Sequence, residues 1–175
     1  MMRFTLVPLL AASVLAAPLA AQDSVSTLGV FANLQGTWEG SAWIVMGPDG
    51  RHTVRQRETV ASAAAGTVIT VRGVGVETLD DGTERTVHDA FAIVHMDHDG
   101  HTPVMRAFTA YNWMDMKLTL RDSGFEWRMD DPRAGKIRYA MHLDPEGRWV
   151  EQGFASRDGG TTWSQFFEMT LSRVK

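Results

Sequence analysis

Four arginines, Arg55, Arg57, Arg72 and Arg106, stand in alternating runs among Thr, Val and Phe. A guanidinium presents a planar fork of donors that suits a carboxylate or phosphate. Arg55 and Arg57 are two apart, so on a strand they share a face. Facing inward on a barrel, the four make a cationic patch for an acidic head group. Facing solvent, they pair with Glu58, Glu77 or Glu84. The arginine face also carries Thr53, Thr59 and Ala61, and the opposite face carries Val54, Gln56, Glu58 and Val60. Periodicity leaves both readings open, and the arginines are the candidate ligand-binding residues.

A second set, His95, His98 and His101 with Asp97 and Asp99, has side chains that suit a divalent metal. It straddles a hairpin turn, however, with His98 at the tip, so a solvated polar turn is expected and no metal. Nucleophile and phosphate-loop signatures are missing: there is no G-x-S-x-G, H-E-x-x-H, P-loop or dinucleotide motif. Gly73 and Gly75 share one face of a strand with no helix after them, which points to a bend or to close packing.

Apolar chemistry is abundant, with 6 tryptophans, 8 phenylalanines and 10 methionines. Methionine adapts to irregular shapes and suits a pocket that must accept varied ligands. Phe108, Trp127 and Tyr139 are the aromatic contacts expected for such a ligand. Phe166 and Phe167 are adjacent, so period two gives at most one of them to an interior.

The elements that must position these residues are strands. Turn clusters such as Asp80-Asp81-Gly82, Asp97-His98-Asp99-Gly100 and Asp144-Pro145-Glu146-Gly147 punctuate the chain regularly. Between them lie ten expected strands: Thr37–Met46, His52–Ala63, Thr67–Glu77, Arg85–Met96, Thr102–Tyr111, Asp115–Arg121, Phe125–Asp130, Lys136–Leu143, Arg148–Ser156 and Trp163–Arg173. The turn at Ala64 to Gly66 is the weakest. Alternation is clearest late: Met114, Met116, Leu118 and Leu120 share a face, as do Phe125, Trp127 and Met129, and Ile137, Tyr139, Met141 and Leu143. One dry and one wet face is the antiparallel pattern. Short connections favour an all-β, up-and-down antiparallel barrel, with a short N-terminal helical turn within Val25 to Leu34. About ten strands close into a barrel too wide for a few side chains to fill, so a cavity is expected.

Residues 1–21 read as a secretory signal peptide. Arg3 is the charged start, Phe4 to Leu19 the apolar run, and Ala20 and Ala21 the small-residue exit. The run is shorter than the roughly 20 residues that span a bilayer. Residues 22–175 then form one domain, periplasmic or secreted, with no membrane span after cleavage. There are no cysteines, so neither disulfides nor thiolate metal sites contribute. The chain carries 17 Lys and Arg against 21 Asp and Glu, and loss of Arg3 makes it one unit more acidic. That balance argues against a nucleic-acid partner. It leaves the oligomeric state open.

The segment from Phe31 to Gly40 contains Gly36 and Trp38, and with them resembles the G-x-W opening of a calycin barrel, the shape of lipocalins and fatty-acid-binding proteins. The resemblance implies that Trp38 plugs the closed end and that Arg173, near the end of the last strand, packs across it. The tail from Asp158 to Met169 is similar to a family of exported bacterial lipocalin-like proteins of unknown function. It implies a barrel holding a small, apolar molecule, and no reaction. The nitrobindin-like haem barrels are similar in length and opening motif, but carry a glycine-rich first strand and a late histidine on iron. Here the first strand continues Gly40-Ser41-Ala42-Trp43-Ile44, and His142 shares a face with Lys136 and Arg138, so no cofactor is expected.

The sequence therefore reads as an exported barrel that binds a small apolar or amphipathic molecule. Two alternatives stand beside it. One is an enzyme on the same barrel, with acid–base residues drawn from His88, Asp89, Glu58 and the arginines. The other is an envelope scaffold that binds a protein partner. Fold alone does not choose among them.

Overall fold

The computed structural model of the protein describes residues 28–45, 47 and 50–174. The expected signal peptide lies outside the described residues. A one-turn helix, α1 (Gly29–Ala32), precedes ten strands: β1 (Gly36–Val45), β2 (Arg51–Ala63), β3 (Val68–Thr78), β4 (Glu84–Met96), β5 (Pro103–Thr109), β6 (Trp113–Arg121), β7 (Gly124–Asp131), β8 (Gly135–Leu143), β9 (Trp149–Ser156) and β10 (Ser164–Arg173). Each strand pairs antiparallel with the next, and β1 pairs with β10, which closes the barrel and leaves no free edge. Among the described residues no helix is long and apolar enough to cross a membrane.

The strands fall close to their expected positions, and the turns between them are built by Asp side chains. Asp99 accepts from the backbone N–H of His101 and Thr102, and Asp158 accepts from those of Thr161 and Thr162. The Thr102 and Thr162 hydroxyls, which donate to the same carboxyls, and then these backbone bonds hold both below the ordinary range, Asp99 down to about 2. The Ala64–Gly66 connection has no such residue. It forms a 3₁₀ turn in which Ala64 and Ala65 take positive φ of 48° and 56°.

One end of the barrel is closed by α1 and the residues after it. Leu28, Phe31, Leu34 and Trp38 are buried there, with Phe31 against Phe125 at 4.8 Å and Trp38 edge-on to Trp149 at 5.8 Å. The Trp38 indole N–H donates to Leu34 O at 2.7 Å, so the plug is hydrogen-bonded as well as packed. Arg173 lies over the Trp38 ring at 4.3 Å, and its guanidinium donates to the carbonyls of Asn33 and Gln35. Gly36 has φ of +120°, and a Cβ there would stand 2.8 Å from Arg173 Nη1, so the turn into β1 needs glycine twice over.

Alternation in β6, β7 and β8 follows the sequence pattern, with the Met, Leu and aromatic positions inward. Two bulges break the period elsewhere, at Gly75/Val76 and between Gln165 and Phe167. Of Phe166 and Phe167, which flank the second bulge, only Phe167 lines the interior, as period two expects, although both rings reach Tyr139, at 5.7 and 5.9 Å.

Candidate functional site

The barrel encloses a cavity of about 380 Å³, between the α1 plug and the opposite end, where Asn112 and Trp113 line it. Its size comes from small side chains. Ala42, Ala90, Ala92 and Ala107 point inward on β1, β4 and β5. The bulky residues beside them, Phe91 and Phe108, point outward and pair across β4 and β5. Placing the large residue outside and the small one inside leaves volume that a packed core would fill.

One wall is aromatic. Phe125 stacks on Trp127 at 5.6 Å, and Trp127 stacks on Tyr139 at 5.0 Å with the planes 12° apart. Neighbouring inward positions on β7 and β8 bring these rings together. The other walls are aliphatic and methionine-rich, with Val54, Val71, Val94, Met105, Met116 and Met169.

Against this apolar surface stands one deep polar group. Gln56 and Glu58 point inward from β2, and Glu151 points inward from β9. Glu58 is 7% exposed and accepts a 2.7 Å hydrogen bond from the Gln56 amide. Glu151 accepts from the Trp149 indole N–H at 3.3 Å. Glu58 is paired with Trp38 across β1 and β2, and Glu151 lies two residues from Trp149 at the start of β9, so both are near the Trp38–Trp149 floor. Burial pushes the Glu58 carboxyl up to about 7, against the lowering pull of Gln56. Burial, and then the charge of Glu58, pushes Glu151 up to about 8. Burial and the Glu151 charge push the Tyr139 phenol up, so it stays neutral. His88 also lines the cavity, and burial lowers its imidazole.

Glycines on β3 make room for these side chains. Gly73 pairs with Glu58 and Gly75 with Gln56. A Cβ at position 73 would stand 2.6 Å from Glu58 Oε1, and one at position 75 would stand 2.5 Å from Gln56 Oε1 and 3.0 Å from His88 Cβ. The close-packing reading of this Gly-Val-Gly run thus has a specific object: the two glycines admit the inward polar residues of β2.

The four arginines are on the outer wall, which corrects the expected cationic patch. Arg55 pairs with Glu84 at 3.0 Å, Arg57 with Glu39 at 2.6 Å, Arg72 with Asp89 at 2.8 Å and Arg106 with Asp115 at 2.6 Å. None of them lines the cavity. The cause is register: β2 turns Val54, Gln56, Glu58 and Val60 inward, so Arg55 and Arg57 face water. Phe108, expected at the ligand, is likewise on the outer wall, between Phe91 and Trp113 in the register. Trp127 and Tyr139 do line the cavity. His142 sits on the outward face of β8, paired with Val150 and Gly124.

In the turn between β4 and β5, His95 Nδ1 lies 2.8 Å from Met96 O, and Asp97 and Asp99 accept backbone N–H groups of the turn itself. Among the described residues no three His, Asp or Glu side chains converge to hold a metal. Sequence reasoning weighed Glu58 as a solvent-side partner of the arginines or, with His88, as a catalytic candidate, and passed over Glu151. The usable signal for Glu58 was its company: Val54 and Val60 flank Gln56 and Glu58 on one face, opposite two glycines of the next strand.

No protein-family model matches the sequence, and none of the curated proteins compared with it does. The fold is similar to that in the crystal structure of Rv2717c from M. tuberculosis. The TM-score is 0.60 at 11% sequence identity, over 85% of this chain and 98% of that one. At that identity the likeness concerns the fold.

Proposed function

We propose that this chain is an exported small-molecule-binding barrel of the calycin kind, which holds an apolar or amphipathic ligand in its internal cavity. The observation that carries the reading is the cavity: about 380 Å³, walled by stacked aromatics and methionines, with a few convergent polar groups at its floor. Enclosed, mainly apolar volume with sparse polar anchors is what a ligand site requires. Trp127 and Tyr139 offer it flat contact area. The leader-like run at residues 1–21 supports release into the periplasm or the medium, and the acidic net charge of −4 supports a small molecule over nucleic acid. The test is native mass spectrometry of protein purified gently from an exporting host, beside its denatured mass. A bound mass lost on denaturation, together with a mature N-terminus at Gln22, is expected. Mature protein that also fails to take up any apolar probe overturns the reading.

A second reading, acid–base chemistry on a bound molecule, is favoured by Glu58 and Glu151. Carboxyls raised toward neutrality inside a cavity can exchange protons with a substrate at working pH. Turnover that is lost in both Glu58→Gln and Glu151→Gln would select it.

A further inference from the structure

The ligand site carries the opposite charge preference to the one its arginines suggested. We propose that the cavity selects an apolar amine, whose protonated nitrogen is held at the floor between the carboxylates of Glu58 and Glu151 while its hydrocarbon body lies along the Trp127–Tyr139 wall. This rests on the cavity being a ligand site.

Three observations carry it. Glu58 is more than nine-tenths buried, its side chain lines the cavity, and Gln56 donates to Oε1 alone. Among the described residues no donor reaches Oε2, so one carboxylate oxygen is open to the cavity. Second, among the described residues no lysine or arginine lines the cavity, so they supply no cation to two carboxyls in an apolar enclosure. Third, the carboxyls are at the plugged end, beneath the aromatic wall, so a ligand entering past Asn112 and Trp113 places its polar end deepest.

A buried carboxylate without a partner is costly, and a well-placed cation offsets much of that cost. Without ligand the pair relieves that cost by holding protons, as the values of about 7 and 8 express. A bound ammonium replaces those protons. The other titratable groups facing the pair are His88 from β4 and Tyr139 from β8. Burial keeps both toward their neutral forms, so neither supplies the counter-charge. From β1, β3, β5, β6, β7 and β10 the lining is without ionisable side chains.

The test compares three ligands of one skeleton, 2-naphthylmethylamine, 2-naphthylmethanol and 2-naphthoate, against the full mature protein, read by calorimetry. At pH 8 the amine is expected to bind at least about tenfold tighter than the other two, a difference of about 1.4 kcal/mol. At pH 7 its binding is expected to release on the order of one proton, measured in buffers of different ionisation enthalpy. Glu58→Gln and Glu151→Gln should each erase the preference for the amine while leaving the alcohol's affinity within about twofold. Arg106→Gln, on the outer wall, should change none of this. Equal affinity for amine and alcohol, tighter binding of the carboxylate, or amine binding without proton release overturns the charge preference and leaves the ligand site standing. Failure of all three ligands to bind overturns the ligand site and the preference with it. The proton count is read on the unmodified protein, so it stands even if a variant fails to fold.

Discussion

Consecutive residues of β2 lead opposite lives. Arg55 and Arg57 stand in water, each with a carboxylate partner from another strand, while Gln56 and Glu58 face the interior with only each other and Glu151 for polar company. The outer pairs satisfy charge with charge at a dielectric that makes each worth little. The inner group leaves charge unmatched at a place where mismatch is expensive. A surface pair needs no explanation beyond solubility, whereas an unmatched inner carboxyl pair is retained against its cost, and that is why the inside and not the outside is read for function.

The difference can be broken most strongly at the floor. Trp149→Ala removes the edge-on contact to Trp38 and the donor to Glu151. It is expected to cost about 3–5 kcal/mol in chemical denaturation, the range for emptying a large buried aromatic. A cost under about 1 kcal/mol would mean that the plugged end is not the core of the barrel.

Next comes pH. Both inner carboxyls are raised above 4.5 in the folded protein, so between about pH 4.5 and 8 the folded state holds more protons than the unfolded state. Their contribution to stability is complete below about pH 4.5 and is lost as pH rises through 7 to 8. The depressed turn carboxylates of Asp99 and Asp158 act in the opposite sense, and their contribution fades only in stronger acid. Stability is therefore expected to peak on the acid side of neutrality. Glu58→Gln should leave the melting temperature at pH 4.5 nearly unchanged and raise stability at pH 8.5 by on the order of 3 kcal/mol. Equal effects at the two pH values would contradict a buried, proton-holding Glu58.

The smallest effect belongs to the outer wall. Arg106→Gln breaks a pair whose side chains are about half exposed. A loss of under about 1 kcal/mol, shrinking further in salt, is expected from denaturation curves at two ionic strengths. A larger, salt-insensitive loss would make the wall and the interior alike.

The strands and the barrel were legible because β6, β7 and β8 alternate between one-sided apolar sets and charged sets, and because Asp and Gly mark nearly every turn. β2 was not legible, since both its faces carry polar residues and period two cannot say which is inside. The glycines opposite Gln56 and Glu58 decide it, and their meaning depends on a strand pairing that only the folded chain supplies. Phe108 misled for a related reason. Hydrophobicity places it inside, but the interior of β4 and β5 is kept small by alanines, so the cavity is made by what is left out. The bulge between Gln165 and Phe167 escaped because a bulge has no reliable mark in sequence. The plug was legible from Gly36, Trp38 and Arg173 through the G-x-W resemblance, and the geometry supplies its reason.

The most direct test of the inner site is a carbon-detected NMR titration of the glutamate side-chain carboxyls in the purified protein. Glu58 and Glu151 are expected to titrate near 7 and 8 and to move to lower pH when 2-naphthylmethylamine is bound. Titration of both near 4.5, unmoved by the amine, would put the two carboxyls in contact with water and contradict a sealed carboxyl pair at the floor of a ligand cavity.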